Sequence, residues 1–377
     1  MTWLTVPLGE VSRVDARTVQ PHEIGPETTY VGLEHIGPEG ALDSRQTAGA
    51  ANLKSAKNRF DERHVLFGKL RPNLGKVARP TFPGVSSTDI YPILPSERID
   101  RDYLGHLLLR PESIAFASSR TTGVNLPRIS WSSLRELPTP LPPLPEQRRI
   151  AAILDEADAL RRVSAKVLSR LAELRRANFH LVARSGTASA KIGDVAALYG
   201  GSSLPQGRRF NGEVDGYLLV KVSDMNAAGN EVVITHASEW SAAPGARAAT
   251  APAGATLLPK RGAAIATNKK RILGRPAIID PNLMAVAGVD GLLHFRWLHA
   301  WFESFDLTTI QSGSTVPQLN KQDLTPLDLP LPSWDEQLEF AQRMESLDRQ
   351  SAILVTRCET LDALFASLQH RAFRGEL

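Results

Sequence analysis

The chain of 377 residues contains a single cysteine, Cys358. One thiol forms no intrachain disulfide and no thiolate cluster for zinc, so neither a disulfide scaffold nor a zinc finger organises this fold. No apolar run approaches the ~20 residues that a bilayer requires, and the first seven residues lack the basic-then-apolar layout of a secretory signal. The expectation is a soluble cytoplasmic protein. Charge of one sign is also scarce: 44 Lys and Arg face 40 Asp and Glu, a net charge of +4. Any surface for nucleic acid must therefore be assembled from local clusters.

Catalytic signatures are missing as well. Gly68-Lys69 and Gly75-Lys76 lack the hydroxyl residue and the earlier glycine of a phosphate-binding loop. There is no His-Glu-x-x-His and no Gly-x-Ser-x-Gly. The only Pro-Pro pair, Pro142-Pro143, lies between two leucines rather than in the Asn/Asp-Pro-Pro-aromatic segment that holds a flipped adenine. His294 and His299 are five apart, off a common helix face, and nothing nominates a nucleophile, a base or a metal ligand.

What the chain does contain is a long internal repeat. Gly123, Pro127 and Leu134 match Gly313, Pro317 and Leu324; Pro140-Leu141-Pro142 and Glu146-Gln147 match Pro330-Leu331-Pro332 and Glu336-Gln337. Every one of these pairs keeps the separation of Gly123 from Gly313, without a gap. The openings correspond more loosely, Leu8-Gly9-Glu10-Val11 with Ile192-Gly193-Asp194-Val195. A period this long is far beyond a solenoid repeat and means two whole domains whose frames agree while their middles diverge.

Each Glu-Gln segment opens a helical pattern. Ile150, Ile153, Leu160, Val167, Leu171 and Leu174, with Ala157 and Ser164 between them, set a three-four alternation, and no Gly or Pro interrupts residues 146–185. In the second copy Phe340, Leu347, Leu354, Leu361 and Leu368 recur every seven residues, with Met344, Ser351, Cys358, Phe365 and Ala372 four later. A period of 3.5 rather than 3.6 specifies a helix–helix seam, so the two rods should pack on one another. Gly186 and Gly375 are their expected stops. The remaining segments read as α+β, with short strands at 31–36, 217–222, 254–258 and 262–266 and helices at 102–118 and 292–306.

Basic clusters on glycine-containing loops occur in both halves. Lys69, Arg71 and Lys76 form the first; Lys260-Arg261-Gly262, followed by Asn268, Lys269, Lys270 and Arg271, forms the second. Glycine lets a backbone approach a phosphate, and Lys or Arg neutralises it with release of counterions. Asn268 suits bidentate pairing with adenine and Arg71 with guanine. Arg120, Thr122 and Gly123, Ser312 and Gly313, and Gly201 with Ser202 complete the candidate DNA-binding set. Two other readings compete: a stand-alone nuclease using Asp280 and Asp290 near Lys269–Arg271, and an assembly scaffold whose charges bind nothing.

The run Leu137–Ile150, its counterpart Leu329–Gln337, the Thr-Gly and Ser-Gly loops upstream of each, and the closing Phe373-Arg374-Gly375-Glu376-Leu377 resemble the specificity subunit of type I restriction-modification systems. Ser333-Trp334-Asp335 departs from the family's Pro-rich run. The resemblance implies two tandem target-recognition domains, 1–143 and 186–333, separated by two long antiparallel coiled-coil helices at 144–185 and 334–377 in a pseudo-two-fold arrangement. Each domain would read one half of a split site in double-stranded DNA, and the helices would set the gap. Two modification subunits would dock on the helices, with a restriction subunit in some assemblies. S-adenosylmethionine, and ATP with magnesium, would be bound by those partners; this chain would bind no cofactor and catalyse nothing.

Overall fold

A computed structural model describes residues 3–37, 40–42, 45–184, 188–312 and 316–377. The chain divides into two units, Met1–Ala165 with Thr356–Leu377 and Lys166–Val355. Each therefore takes part of both long helices, Leu144–Ala183 and Trp334–Ala372.

The first unit is built on two sheets. One has the strand order Ser12–Val14, Ile90–Pro95, Val65–Gly68, Val77–Ala78; the other runs Thr18–Val19, Lys57–Phe60, Gly84–Ser86, Thr29–Val31, Gln46–Thr47. All pairs are antiparallel except Thr29–Val31 beside Gly84–Ser86. Val65-Leu66-Phe67-Gly68 is buried at every position, the pattern of a strand covered on both faces. Leu66 joins Val31, Ile36, Phe60 and Ile90 in one core, while Val65 and Phe67 join Tyr103, Leu107, Ile150 and Leu154 in another beneath the helices.

The second unit repeats the plan. Its sheets are ordered Ala196–Gly200, Leu283–Gly288, Thr256–Pro259, Arg271–Leu273, Val233–Ile234 and Arg208–Arg209, Glu239–Ser241, Tyr217–Val220, Ala277–Ile279, Thr250–Ala251. Thr256–Pro259 is again buried throughout. Trp297, Phe302, Phe179 and Phe340 fill the core under the helices.

The Glu-Gln motif has a structural reason. Gln147 is fully buried; its Oε1 accepts the N–H of Asp100 at 2.7 Å, and its Nε2 donates to the carbonyls of Arg98 at 3.0 Å and Pro142 at 2.8 Å. Asp100 caps the helix Arg101–Leu108. Gln337 does the same for the second copy, taking the N–H of His294 at 2.8 Å and donating to Leu292 and Pro332. Tyr103 Oη and Trp297 Nε1 likewise donate to the matched carbonyls of Pro140 and Pro330. One amide thus ties the start of a long helix to the start of a domain helix, and only a side chain with both donor and acceptor at that reach serves.

Within each unit the long helices pack antiparallel. In the first, Arg161 pairs with Asp362 at 2.7 Å and lies over the Phe365 ring at 4.5 Å. In the second, Arg175 pairs with Asp348, which also holds Arg296 at 2.5 Å. Phe340, Leu347, Leu354, Leu361 and Leu368 all lie on the covered face. The seam of the central helix is shifted from the reading above. Leu160, Val167 and Leu174 are 44%, 43% and 51% exposed, and Ile153 is half-buried. The covered column is Ile150, Leu154, Ala157, Arg161, Ser164, Leu168, Leu171, Arg175. Two of its members are arginines, whose stems lie along apolar surface while their guanidinium groups meet aspartates, so counting apolar residues selects the neighbouring column.

Two strand readings are also corrected. Ala263–Ala266 is a helical turn, because Gly262 at φ +67° turns the chain and alanine favours the helix. Residues 33–35 form a 3-10 turn after the strand Thr29–Val31. The helix expected at 102–118 is two, Arg101–Leu108 and Pro111–Ser118, broken at Pro111. Gly186 and Gly313 lie outside the described residues.

Candidate nucleic-acid interface

In the first unit the buried strand Val65–Gly68 delivers Lys69-Leu70-Arg71 to the surface. The Lys69 N–H donates to Asp89 O at 2.9 Å, its carbonyl accepts the N–H of Ile129 at 3.0 Å, and the Arg71 N–H donates to Pro127 O at 2.8 Å. Leu70 bridges Arg128. The loop is thus clamped to the hairpin formed by Thr121–Thr122 and Arg128–Ile129. Arg71 sits in the left-handed region at φ +49° and is exposed. Its neighbours are the hairpin tip, where Gly123 turns at φ +95° and Val124 is 99% exposed.

Side-chain charge at this edge is partly balanced. Asp89 accepts both arms of Arg128 at 2.9 and 3.2 Å and lies 4.0 Å from the Lys69 ammonium, which sits 5.3 Å from the Tyr91 ring centre. Arg71 forms no ion pair among the described residues; its guanidinium reaches the Asn125 carbonyl at 3.5 Å. Arg120 stacks 3.7 Å over Phe116, exposed beside Thr122. Lys76 is committed inward, donating to Ile36 O at 2.6 Å.

The second unit carries the same clamp. Strand Thr256–Pro259 delivers Lys260-Arg261-Gly262. Lys260 N–H donates to Asn282 O at 2.7 Å, Lys260 O accepts from Leu319 N–H at 2.9 Å, and Gly262 N–H donates to Pro317 O at 2.8 Å. Arg261 bridges Gln318, which pairs in turn with Ser312. Pro317, Gln318 and Leu319 are the repeat counterparts of Pro127, Arg128 and Ile129, at the same offset that relates Gly313 to Gly123. Burial, then the nearby Arg261 and Lys321, push the Lys260 ammonium below its usual pKa. Arg261, which the sequence places in the second basic cluster, is the exposed side chain beside the second clamp, in the position that Leu70 holds in the first.

The segment Asn268–Arg271 is used otherwise. Asn268 Oδ1 accepts the Lys270 ammonium at 2.8 Å and the Leu307 N–H at 3.0 Å, so its carboxamide is not free to read adenine. Lys270 is buried and also donates to Phe305 O at 2.6 Å. Lys269 bonds Asn226 Oδ1, and Arg271 donates to Met225 O at 3.2 Å. Gly201 is pressed against the Asp280 carbonyl, where a Cβ would stand 1.6 Å from the oxygen. The Gly201 and Ser202 amides already donate to Leu283 O and Ile279 O, each at 3.1 Å.

Asp280 and Asp290 close turns by accepting the N–H groups of Asn282 at 2.7 Å and Gly291 at 3.1 Å. Among the described residues no group of three or more His, Cys, Asp or Glu is placed to hold a metal, and no helix is long and apolar enough to cross a membrane. The nuclease reading has no support.

Residues 1–171 match the model of the type I restriction modification DNA specificity domain. Over 177 residues the chain is 30% identical to the type I restriction enzyme EcoDI specificity subunit of Escherichia coli, covering 46% of this chain and 39% of that protein. The match thus spans well under two thirds of that relative. Two solved structures share the fold. One comes from work on complex assembly and conformational transition of the type I R-M system, at 21% identity and TM-score 0.56 over 100% of this chain and 98% of the other. The second is the S subunit of a type I restriction-modification system from M. genitalium, at 14% identity and TM-score 0.65 over 99% and 96%.

Proposed function

We propose that this chain, whose residues 1–171 belong to the type I restriction-modification DNA specificity family, recognises a bipartite site in double-stranded DNA, one half through each unit. The observation that carries this reading is the duplicated clamp. Lys69-Leu70-Arg71 and Lys260-Arg261-Gly262 are held by the same main-chain hydrogen bonds to residues 127–129 and 317–319, which are repeat counterparts of one another, while their side chains differ. Main-chain anchoring fixes position, and differing side chains read differing bases. The helices that run through both units set the gap between half-sites.

Catalysis belongs to other polypeptides in this proposal. Two modification subunits bind S-adenosylmethionine and methylate adenine; a restriction subunit using ATP and magnesium joins where cleavage occurs, all in the cytoplasm. Exposed apolar residues on the outer faces of the helices, Val163 and Leu174 and their repeat counterparts Ile353 and Leu364, supply docking surface for such partners.

The test is selection of duplexes from a random pool by the chain assembled with its modification subunit. Two short recurring blocks at a fixed gap support the reading. One contiguous block, or no enrichment, overturns it.

A further inference from the structure

In the second unit a cavity of about 350 Å³ lies among Arg175, Arg176, Lys269, Lys270, Arg271 and Glu303. Its charge is lopsided. Glu303 lies 3.8 Å from Arg175, whose other partner is Asp348. Arg176, Lys269, Lys270 and Arg271 form no ion pair among the described residues. The last three donate to neutral oxygens of Asn226, Asn268, Phe305 and Met225. Lys270 is only 6% exposed. Its ammonium is pushed down to about 8 by burial, against the weaker pull of Asp306 and Glu303. Four cations without an ion-pair partner crowd one space whose lining holds a single carboxylate, Glu303; their mutual repulsion and desolvation are a cost that an anion seated there would offset.

The first unit contains the same cavity with another lining. Its space of about 340 Å³ is bordered by Leu74, Leu109, Phe365 and Ala366, with Arg161 between Asp158 and Asp362. Asp362, Phe365 and Ala366 are the repeat counterparts of Ala172, Arg175 and Arg176. Glu303 follows Leu109 at the offset by which His294 follows Asp100 and Trp297 follows Tyr103. Helix packing accounts for a crevice in both copies. It does not account for the excess of cations in one, where the other sets its Arg161 against both Asp158 and Asp362.

We propose that the second-unit cavity is a binding site for a phosphate group, and that its first-unit counterpart is not. Arg176 and Lys269 reach it from the solvent side, while Lys270 and Arg271 supply charge from within. The phosphate comes either from a DNA backbone or from a small phosphorylated compound; both offer the same oxygens to these donors. The site does not depend on the sequence-reading role above, because phosphate alone probes it.

Calorimetric titration of inorganic pyrophosphate into the full chain, against sodium chloride at equal ionic strength, reads the site directly. One event per chain is expected, weakened about tenfold or more in the double variant Arg176→Ala, Lys269→Ala. Neither side chain is buried, so the fold should survive, as circular dichroism would verify. Repeating the titration with a short duplex of unrelated sequence identifies the source. Competition assigns the site to backbone phosphate, and unchanged binding assigns it to a free phosphorylated compound. Pyrophosphate binding no tighter than chloride, or binding unchanged in the double variant, overturns the proposal.

Discussion

Gln147, itself fully buried, holds the N–H of Asp100 at 2.7 Å while its own amide donates to two further carbonyls. Replacing Gln147 with Ala leaves the Arg98 and Pro142 carbonyls and a helix-capping N–H without partners. The expected loss is roughly 2–4 kcal/mol of unfolding free energy. Gln337→Ala should lose a similar amount through the second unit. Urea unfolding followed by circular dichroism measures both, and a loss under about 1 kcal/mol would show that water replaces the amide.

Because the clamp is duplicated, specificity should separate by unit. Lys69→Ala with Arg71→Ala is expected to relax or abolish the preference for one half-site and leave the other intact. Lys260→Ala with Arg261→Ala should do the converse. Removing one bidentate hydrogen-bonded pairing with a base edge should weaken discrimination by about 1–3 kcal/mol. Sequencing of selected duplexes reads the outcome. Equal weakening across all sequences would mean that these side chains touch phosphate only.

Lys270 makes stability depend on pH in an unusual direction. Its folded pKa of about 8 lies below the 10.5 of an unfolded lysine. Below pH 8 both states are protonated and the slope from this group is zero. Between pH 8 and 10.5 the unfolded chain holds more protons, so stability rises with pH, by at most about 1 kcal/mol per unit. Lys270→Met should remove that rise. Denaturation midpoints across the window test this, and identical profiles for the two proteins would assign the slope elsewhere.

Matched insertions of four residues after Ser169 and after Leu354 should add about 6 Å of helix, near two base pairs of duplex. The tolerated gap between half-sites should grow by that amount with both half-site sequences unchanged. Altered half-site sequences would show that the helices do more than measure.

The two-domain plan is legible because duplication leaves an offset that any reader can count, and Pro127, Pro317, Gln147 and Gln337 keep it without a gap. An apolar template misphases the central helix because Arg161 and Arg175 occupy covered positions that the template gives to Leu160 and Leu174. Carrying the offset from Glu146-Gln147 into the helix restores the phase, since Arg161 and Arg175 then fall on Ser351 and Phe365 of a clean heptad. The basic loops are visible as charge. What no sequence pattern separates is a lysine that faces solvent from one such as Lys270, whose fate depends on the distant Phe305 carbonyl.

Apart from the long reach of the Arg71 guanidinium to Asn125 O, the bonds that fasten the two basic loops to residues 127–129 and 317–319 run between main-chain atoms. The identities of Lys69, Leu70, Lys260 and Arg261 are thereby almost decoupled from whether the loops keep their shape, while Gly262, at φ +67°, stays tied to its turn. Substitutions there change what is recognised at little risk to folding, so new preferences arise by point replacement on an unaltered frame, and the two halves are free to diversify independently.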